Sequence, residues 1–228
     1  MGGLSAELKM LLASVLFKPG NTIAWNFLSQ FDWPWEALPL ISGFITDTGV
    51  CLDASEFDIR PNNVWIHKTA SVEASAYIGK SIIIDEGAEV RHGAFIRENA
   101  LIGKRTVVGN STELKNVILF DDVQVPHYNY VGDSILGHKS HMGAGSITSN
   151  VKSDRTLVTV TCENDKVETG LKKFGAILGD HVEIGCNSVL NPGAVIGPRT
   201  SVYPLSMVRG YIPSDSIYKK QGEIAEKY

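Results

Sequence analysis

The residues best suited to chemistry in this 228-residue chain lie between Arg97 and Asn150. The run VPHYNYVGD, residues 125–133, places His127 two positions after the aliphatic Val125 and three before Tyr130. An outward imidazole flanked by phenols suits general-base work, because its unperturbed pKa lies near neutrality. Arg97 and Lys115 stand eighteen residues apart, and two cations brought together by the fold form a phosphate clamp. A metal is a poorer reading. His138 and His141 make a lone HxxH, and Cys51, Cys162 and Cys186 are widely spaced with no CxxC.

The elements that must position these groups are announced by a repeat. Ile66, Val72, Ile78, Ile84, Val90, Ile96, Ile102, Val108 and Leu114 follow one another in steps of six. Small or mid-sized residues recur four places after most of them: Ala70, Ala76, Ala88, Ala94, Ala100, Thr106 and Thr112. The phase returns in Leu178, Ile184, Leu190, Ile196 and Val202. Leu119, Val125, Val131, Leu136 and Met142 link the two runs with two five-residue steps, which should tighten the corners locally. Period six fits neither an α-helix, near 3.6, nor a hairpin meander, near 2. It fits short strands joined by tight turns, three hexads closing one coil and stacked coils pairing as parallel strands.

Residues eighteen apart in such a stack lie ~4.8 Å above one another. The position after each inward aliphatic is a corner, and the three corner columns read Gly79, Arg97, Lys115; Glu73, Arg91, Gly109; and His67, Asp85, Gly103. Only the first stacks two cations with nothing acidic among its members. The competing reading is a solvated corner with Glu113 or Glu98 leaning across.

Three stretches lie outside the repeat. Residues 1–62 form an arm in which Ser5 should cap a short helix over 5–17, followed by an aromatic stretch with Trp25, Phe27, Phe31, Trp33, Trp35 and Phe44 covering one end of the repeat domain. The repeat domain spans 63–205, interrupted by an excursion at 149–173 that should project, with the alternating run from Thr156 and a turn at residues 163–166 suggesting a hairpin. Residues 206–228 are a charged tail, laid against the body or a neighbouring subunit.

Composition bounds the partners. Hydrophobic residues at 43% and a net charge of −4 describe a soluble chain with a core and no basic footprint for nucleic acid. No apolar stretch reaches the ~18 residues of a membrane helix. The first residues lack a basic n-region, position 6 lacks the Ser or Thr of a myristoylation signal, and the odd cysteines fit a reducing cytoplasm.

The repeat resembles the hexapeptide-repeat acyltransferases, whose fold is an all-β left-handed parallel β-helix. The runs VGNSTELK (108–115), VPHYNYVGD (125–133) and GAGSITSN (143–150), with their intervals, are similar to the acetyltransferase domain of bifunctional glucosamine-1-phosphate acetyltransferase/N-acetylglucosamine-1-phosphate uridyltransferases. The stretch from Ser149 to Gly179 looks closer still to archaeal sugar-1-phosphate nucleotidylyltransferase/acetyltransferases. The resemblance implies an N-acetyltransferase that takes acetyl-CoA as co-substrate and an amino-sugar 1-phosphate as acceptor, glucosamine or galactosamine 1-phosphate, in UDP-N-acetylglucosamine biosynthesis. It implies that Arg97 and Lys115 hold the sugar phosphate, that His127 is the base, that Tyr130, His141 and Asn150 contact the acceptor, and that Ala144, Cys186 and Lys219 line the acetyl-CoA site. It further implies a homotrimer with the site between chains, and no metal.

Two departures qualify it. His141 stands where the family has Asn, and only Arg155 loosely matches a basic residue of the family's loop. The first 60 residues carry no Gly-rich nucleotidyltransferase loop, so that activity is not expected. The alternatives are an acyltransferase for another amine, such as a nucleotide-linked amino sugar, and a non-catalytic β-helix subunit of a separate nucleotidyltransferase. A zinc site of the γ-class carbonic anhydrase kind would need a histidine where Gly132 stands.

Overall fold

The computed structural model describes residues 5–163 and 165–227. From Val64 onward the chain winds as the stacked coils that the hexads suggest, in the left-handed parallel β-helix that the resemblance implies. Its three faces are one nine-stranded sheet, starting at Ser71–Val72, and a twelve-stranded sheet that supplies the other two. Strands such as Tyr77–Ile84 and Phe95–Ile102 belong to two faces at once because they run round the corner between them. We call the face holding Ile82–Ile84 the first, that holding Glu89–Val90 the second and that holding Phe95 and Ile96 the third.

The ladder pairs the inward aliphatics with one another. Ile84, Ile102, Leu119 and Leu136 stand in register on the first face, and Val72, Val90, Val108 and Val125 on the second. Most are wholly buried, as are the small residues between them. The buried threonine hydroxyls of these small slots are satisfied: Thr106 Oγ1 donates to Phe120 O at 2.7 Å and Thr112 Oγ1 to Val125 O at 2.9 Å. The coil turns at left-handed residues stacked in columns, such as Ser81, Asn99, Asn116 and Asp133 between the third and first faces. Each costs about 1 kcal/mol in an L-residue, which the packed ladder offsets. The five-residue steps appear as a slip: after Ile96↔Leu114 the next pair is Glu98↔Lys115.

The arm departs from expectation in two ways. Its first helix is broken into Ala6–Lys9, capped by Ser5 Oγ as foreseen, and Ala13–Leu16. Leu12 is extended between them, because the Ala13 amide donates to Asp32 O at 3.2 Å rather than to its own helix. The arm also covers a side of the helix, not an end. It lies on the first face, where Ile83, Leu101, Ile118, Ile135, Ile177 and Val195 point outward and are nonetheless fully buried. Each such side chain contributes about 1.5–3 kcal/mol when taken from water, enough to hold the arm down. Phe17 meets Phe120 at 4.8 Å and Trp35 meets Phe174 at 5.8 Å. Asp180, almost wholly buried, accepts from the backbone N–H of Lys18 at 2.8 Å and of His138 at 2.9 Å, and burial raises its pKa.

The end of the first face is covered instead by Phe57–Arg60, antiparallel to Val64–His67. The excursion is a hairpin, Thr159–Cys162 with Asp165–Glu168, and Asn164 of its turn lies outside the described residues. It folds back rather than projecting. Val158, Val160 and Cys162 are buried, and Gly193 and Gly210 leave room for its backbone. In the tail, Ser216–Lys220 continues the second face and Glu223–Glu226 returns antiparallel.

Candidate active site

The third face is narrow, and polar residues line both of its edges. On the edge toward the first face, Arg97, Lys115, Tyr130 and Asn150 fall into one band. The structure corrects their expected electrostatics, because both cations already have carboxylate partners. Arg97 Nη1 lies 2.9 Å from Glu113 Oε1, a bond that pushes the guanidinium pKa higher still, so Glu113 does lean across. Lys115 Nζ lies 2.9 Å from Asp133 Oδ1, with only 16% and 5% of the two side chains exposed.

Asp133 is the centre of this band and was given no role from sequence, although it stands eighteen residues after Lys115. Its carboxylate also accepts from Asn116 Nδ2 at 3.1 Å and from Asn150 Nδ2. Asn116 Nδ2 in turn reaches Leu38 O of the arm at 3.0 Å. Asn150 Nδ2 donates to the Tyr130 phenol at 3.2 Å. Burial, then the charges of Asp133 and Glu113, raise the phenol's pKa, so it stays protonated and its O–H remains a donor at neutral pH. Gly132 makes this contact possible: a Cβ there would stand 2.5 Å from the phenol oxygen and 2.9 Å from Asn150 Nδ2.

The other edge, between the second and third faces, carries His127. Its loop is rigid for local reasons. The His127 amide donates to Asn129 Oδ1 at 3.1 Å, its carbonyl accepts from the Gly145 amide at 3.0 Å, and buried Asn129 holds Gly143 O at 2.9 Å. Tyr128 takes the left-handed corner. The imidazole itself is exposed and has no hydrogen-bond partner among the described residues. His127 is therefore not joined to the band that holds Tyr130, despite their nearness in sequence.

Ala144 and Cys186 share the His127 edge. The Gly145 amide bonds His127 O and the Asn187 amide bonds Ala144 O at 2.9 Å, so the three residues stack on successive coils. Lys219 lies just past Tyr218, which pairs Val202, and so reaches the same edge at the far coils, 3.9 Å from Glu223 Oε1. His141 is set apart on the second face, its Nδ1 2.8 Å from Glu183 Oε2. Arg155 sits exposed at a left-handed turn of the excursion. Among the described residues no three His, Cys, Asp or Glu side chains converge as metal ligands would.

The arrangement offers an exposed base on one edge of a narrow strip and a hydrogen-bonding band on the other, which suits proton removal from a ligand lying across the strip. Comparison with known proteins adds to this. Residues 80–203 match the family model described as the GMPPB C-terminal domain. The chain is 35% identical over 116 residues to "Bifunctional protein GlmU" of Methanococcus aeolicus, covering 51% of this chain and 28% of that protein. It is 31% identical over 107 residues to the "Bifunctional sugar-1-phosphate nucleotidylyltransferase/acetyltransferase" of Sulfurisphaera tokodaii, 47% of this chain and 27% of that one. The matched part thus spans about a quarter of these curated relatives. Among solved structures, the acetyltransferase domain of PglB from Neisseria gonorrhoeae, in complex with acetyl coenzyme A, is 17% identical with a TM-score of 0.34, over 72% of this chain and 57% of that one.

Proposed function

This chain belongs to the GMPPB C-terminal domain family, and from that premise we propose that it is an N-acetyltransferase that moves the acetyl group of acetyl-CoA to the amine of an amino-sugar 1-phosphate. The observation that carries the reading is the placement of His127, Ala144 and Cys186 along one edge of the third face, opposite the band of Arg97, Lys115, Tyr130 and Asn150. The acetyl thioester lies along the first edge and the sugar against the second. His127 takes the proton from the amine as nitrogen attacks the thioester carbonyl, and as the tetrahedral intermediate collapses and the C–S bond breaks, that same proton passes to the departing thiolate. The Tyr130 hydroxyl and the Asn150 amide orient the sugar.

The acceptor's phosphate meets Arg97, 43% exposed in its pair with Glu113, more readily than Lys115, which is enclosed by Asp133. Glucosamine 1-phosphate is the acceptor we favour, which places the product in UDP-N-acetylglucosamine synthesis in the cytoplasm. A homotrimer supplies the wall that one helix lacks, with exposed Tyr77 and Phe95, 5.2 Å apart on the third face, turned toward the next copy. The neutralised cations favour one second reading, a non-catalytic subunit beside a nucleotidyltransferase.

Thiol release from acetyl-CoA with glucosamine 1-phosphate, galactosamine 1-phosphate and nucleotide-linked amino sugars tests this, with His127→Ala alongside. Removal of a general base should lower kcat by ~10²–10⁴-fold with little change in KM. Silence toward every acceptor from a folded protein would leave the non-catalytic reading.

A further inference from the structure

The edge that carries Arg97 and Lys115 continues past Asn150. Thr148 pairs Leu190 and Leu190 pairs Val208, so Ser149, Asn191 and Arg209 succeed one another in the column that began with Arg97. The Ser149 and Asn191 amides each donate to the carbonyl one coil on, at 2.8 and 2.9 Å. Beside this column the start of the excursion walls a cleft of about 330 Å³, lined by Ser149, Lys152, Ser153, Asp154, Asn191 and Arg209 among others.

The cleft's charges differ from those of the band. Arg97 and Lys115 each hold a carboxylate, whereas the exposed Arg209 guanidinium has none within 4 Å among the described residues. Lys152 Nζ bonds Thr156 Oγ1 at 2.6 Å and lies 3.5 Å from Asp154 Oδ2. Asp154 is also engaged by the Thr156 amide at 3.0 Å and hydroxyl at 2.8 Å, which hold its pKa down. Two cations therefore face one committed carboxylate, and a planar guanidinium offers an unused fork for a phosphate oxygen pair.

We propose that the cleft between Lys152 and Arg209 is an anion subsite that takes the diphosphate of a nucleotide-linked amino sugar, which competes with the sugar 1-phosphate for the position at Tyr130 and Asn150 assigned in the reading above. Reach decides for a diphosphate. Arg209 stands two inter-strand steps beyond Ser149, ~9.6 Å along the axis, which is beyond a phosphate attached directly to a sugar held at Asn150. Coenzyme A also carries phosphoryl groups, but Ala144 and Cys186 lie on the opposite edge of the third face.

Calorimetric titration of the full chain with UDP and, separately, with CoA tests the subsite without turnover. UDP should bind the unsubstituted protein and weaken about tenfold or more in Arg209→Gln, less in Lys152→Gln, with part regained in Arg209→Lys and CoA affinity unchanged. UDP failing to bind, or binding equally to Arg209→Gln, overturns the proposal. So does weakening of CoA alone, which would make the cleft a coenzyme site. The two readings fail separately: UDP binding that depends on Arg209 in an unsubstituted protein that transfers no acetyl group to any acceptor would sink the transferase and leave the subsite standing.

Discussion

The Lys115–Asp133 pair can be broken in a way that measures what it does. Asp133→Asn keeps the side-chain shape, and Asn tolerates the left-handed backbone that residue 133 adopts at φ 47°. The substitution leaves the Lys115 ammonium, 16% exposed, without its counter-charge 2.9 Å away, and replaces by a donor one of the two oxygens that accept from Asn116 and Asn150. Removing one partner of a buried pair costs about 3–5 kcal/mol, and the partial exposure of Lys115 argues for the lower end. For a chain of this size ~3 kcal/mol corresponds to a fall in Tm of roughly 6–12 °C. Thermal melts of Asp133→Asn, Lys115→Met and the double variant complete a cycle. The double variant should recover much of the loss, with a coupling of about 2 kcal/mol. A coupling below about 0.5 kcal/mol would show that Lys115 is served by solvent, refute the enclosed pair, and return Lys115 to the free clamp that the spacing suggests.

Three further outcomes follow from the same contacts. Gly132→Ala should displace the Tyr130 phenol, which a Cβ would meet at 2.5 Å, and raise the acceptor KM at least several-fold while CoA binding is retained; initial-rate kinetics read the split. Burial raises the Asp180 pKa in the folded state, so protonation favours the fold below its unfolded pKa and that contribution is lost as pH rises through the folded value. The Tm difference between the unsubstituted protein and Asp180→Asn should therefore shift in favour of the unsubstituted protein from about pH 6 to about pH 4. Cys162 is buried with its pKa pushed up to about 11, whereas Cys51 and Cys186 are exposed. A thiol reagent at neutral pH should titrate two groups quickly and the third only on unfolding, the released chromophore giving the count.

The inward column was legible because its cause is local: every sixth residue faces the same interior, and Ile84, Ile102, Leu119 and Leu136 meet where the steps say they should. The side that the arm covers was legible too, although the expectation was an end, in a signal that the hexads mask. IIID, LIGK, VILF, SILG and AILG carry an extra aliphatic beside the inward one in five successive coils of the first face, a run that a covering layer explains. The break at Leu12 was not, because it depends on Asp32, twenty residues away. At the site, motif spacing found Arg97, Lys115, Tyr130 and Asn150, which do gather. The competing reading put Glu113 beside Arg97, and the structure bears that out, but Asp133 was given no role although the eighteen-residue spacing sets it one coil from Lys115.

The 42-residue step from Leu136 to Leu178, which pair as if adjacent, has a kinetic side. Elsewhere the coils close after 16 to 18 residues, as between Ile196 and Ile212, Leu119 and Leu136 or Leu178 and Ile196, so strands can zip up from their neighbours; at this seam a long loop must close before pairing begins. A solenoid interrupted there should tend to fold and fray as two blocks. The arm spans the seam, holding Asn116 and Asp121 on one side and Phe174 and Asp180 on the other. It works as a splint across the junction, and loosening it should divide a single cooperative unfolding transition into two.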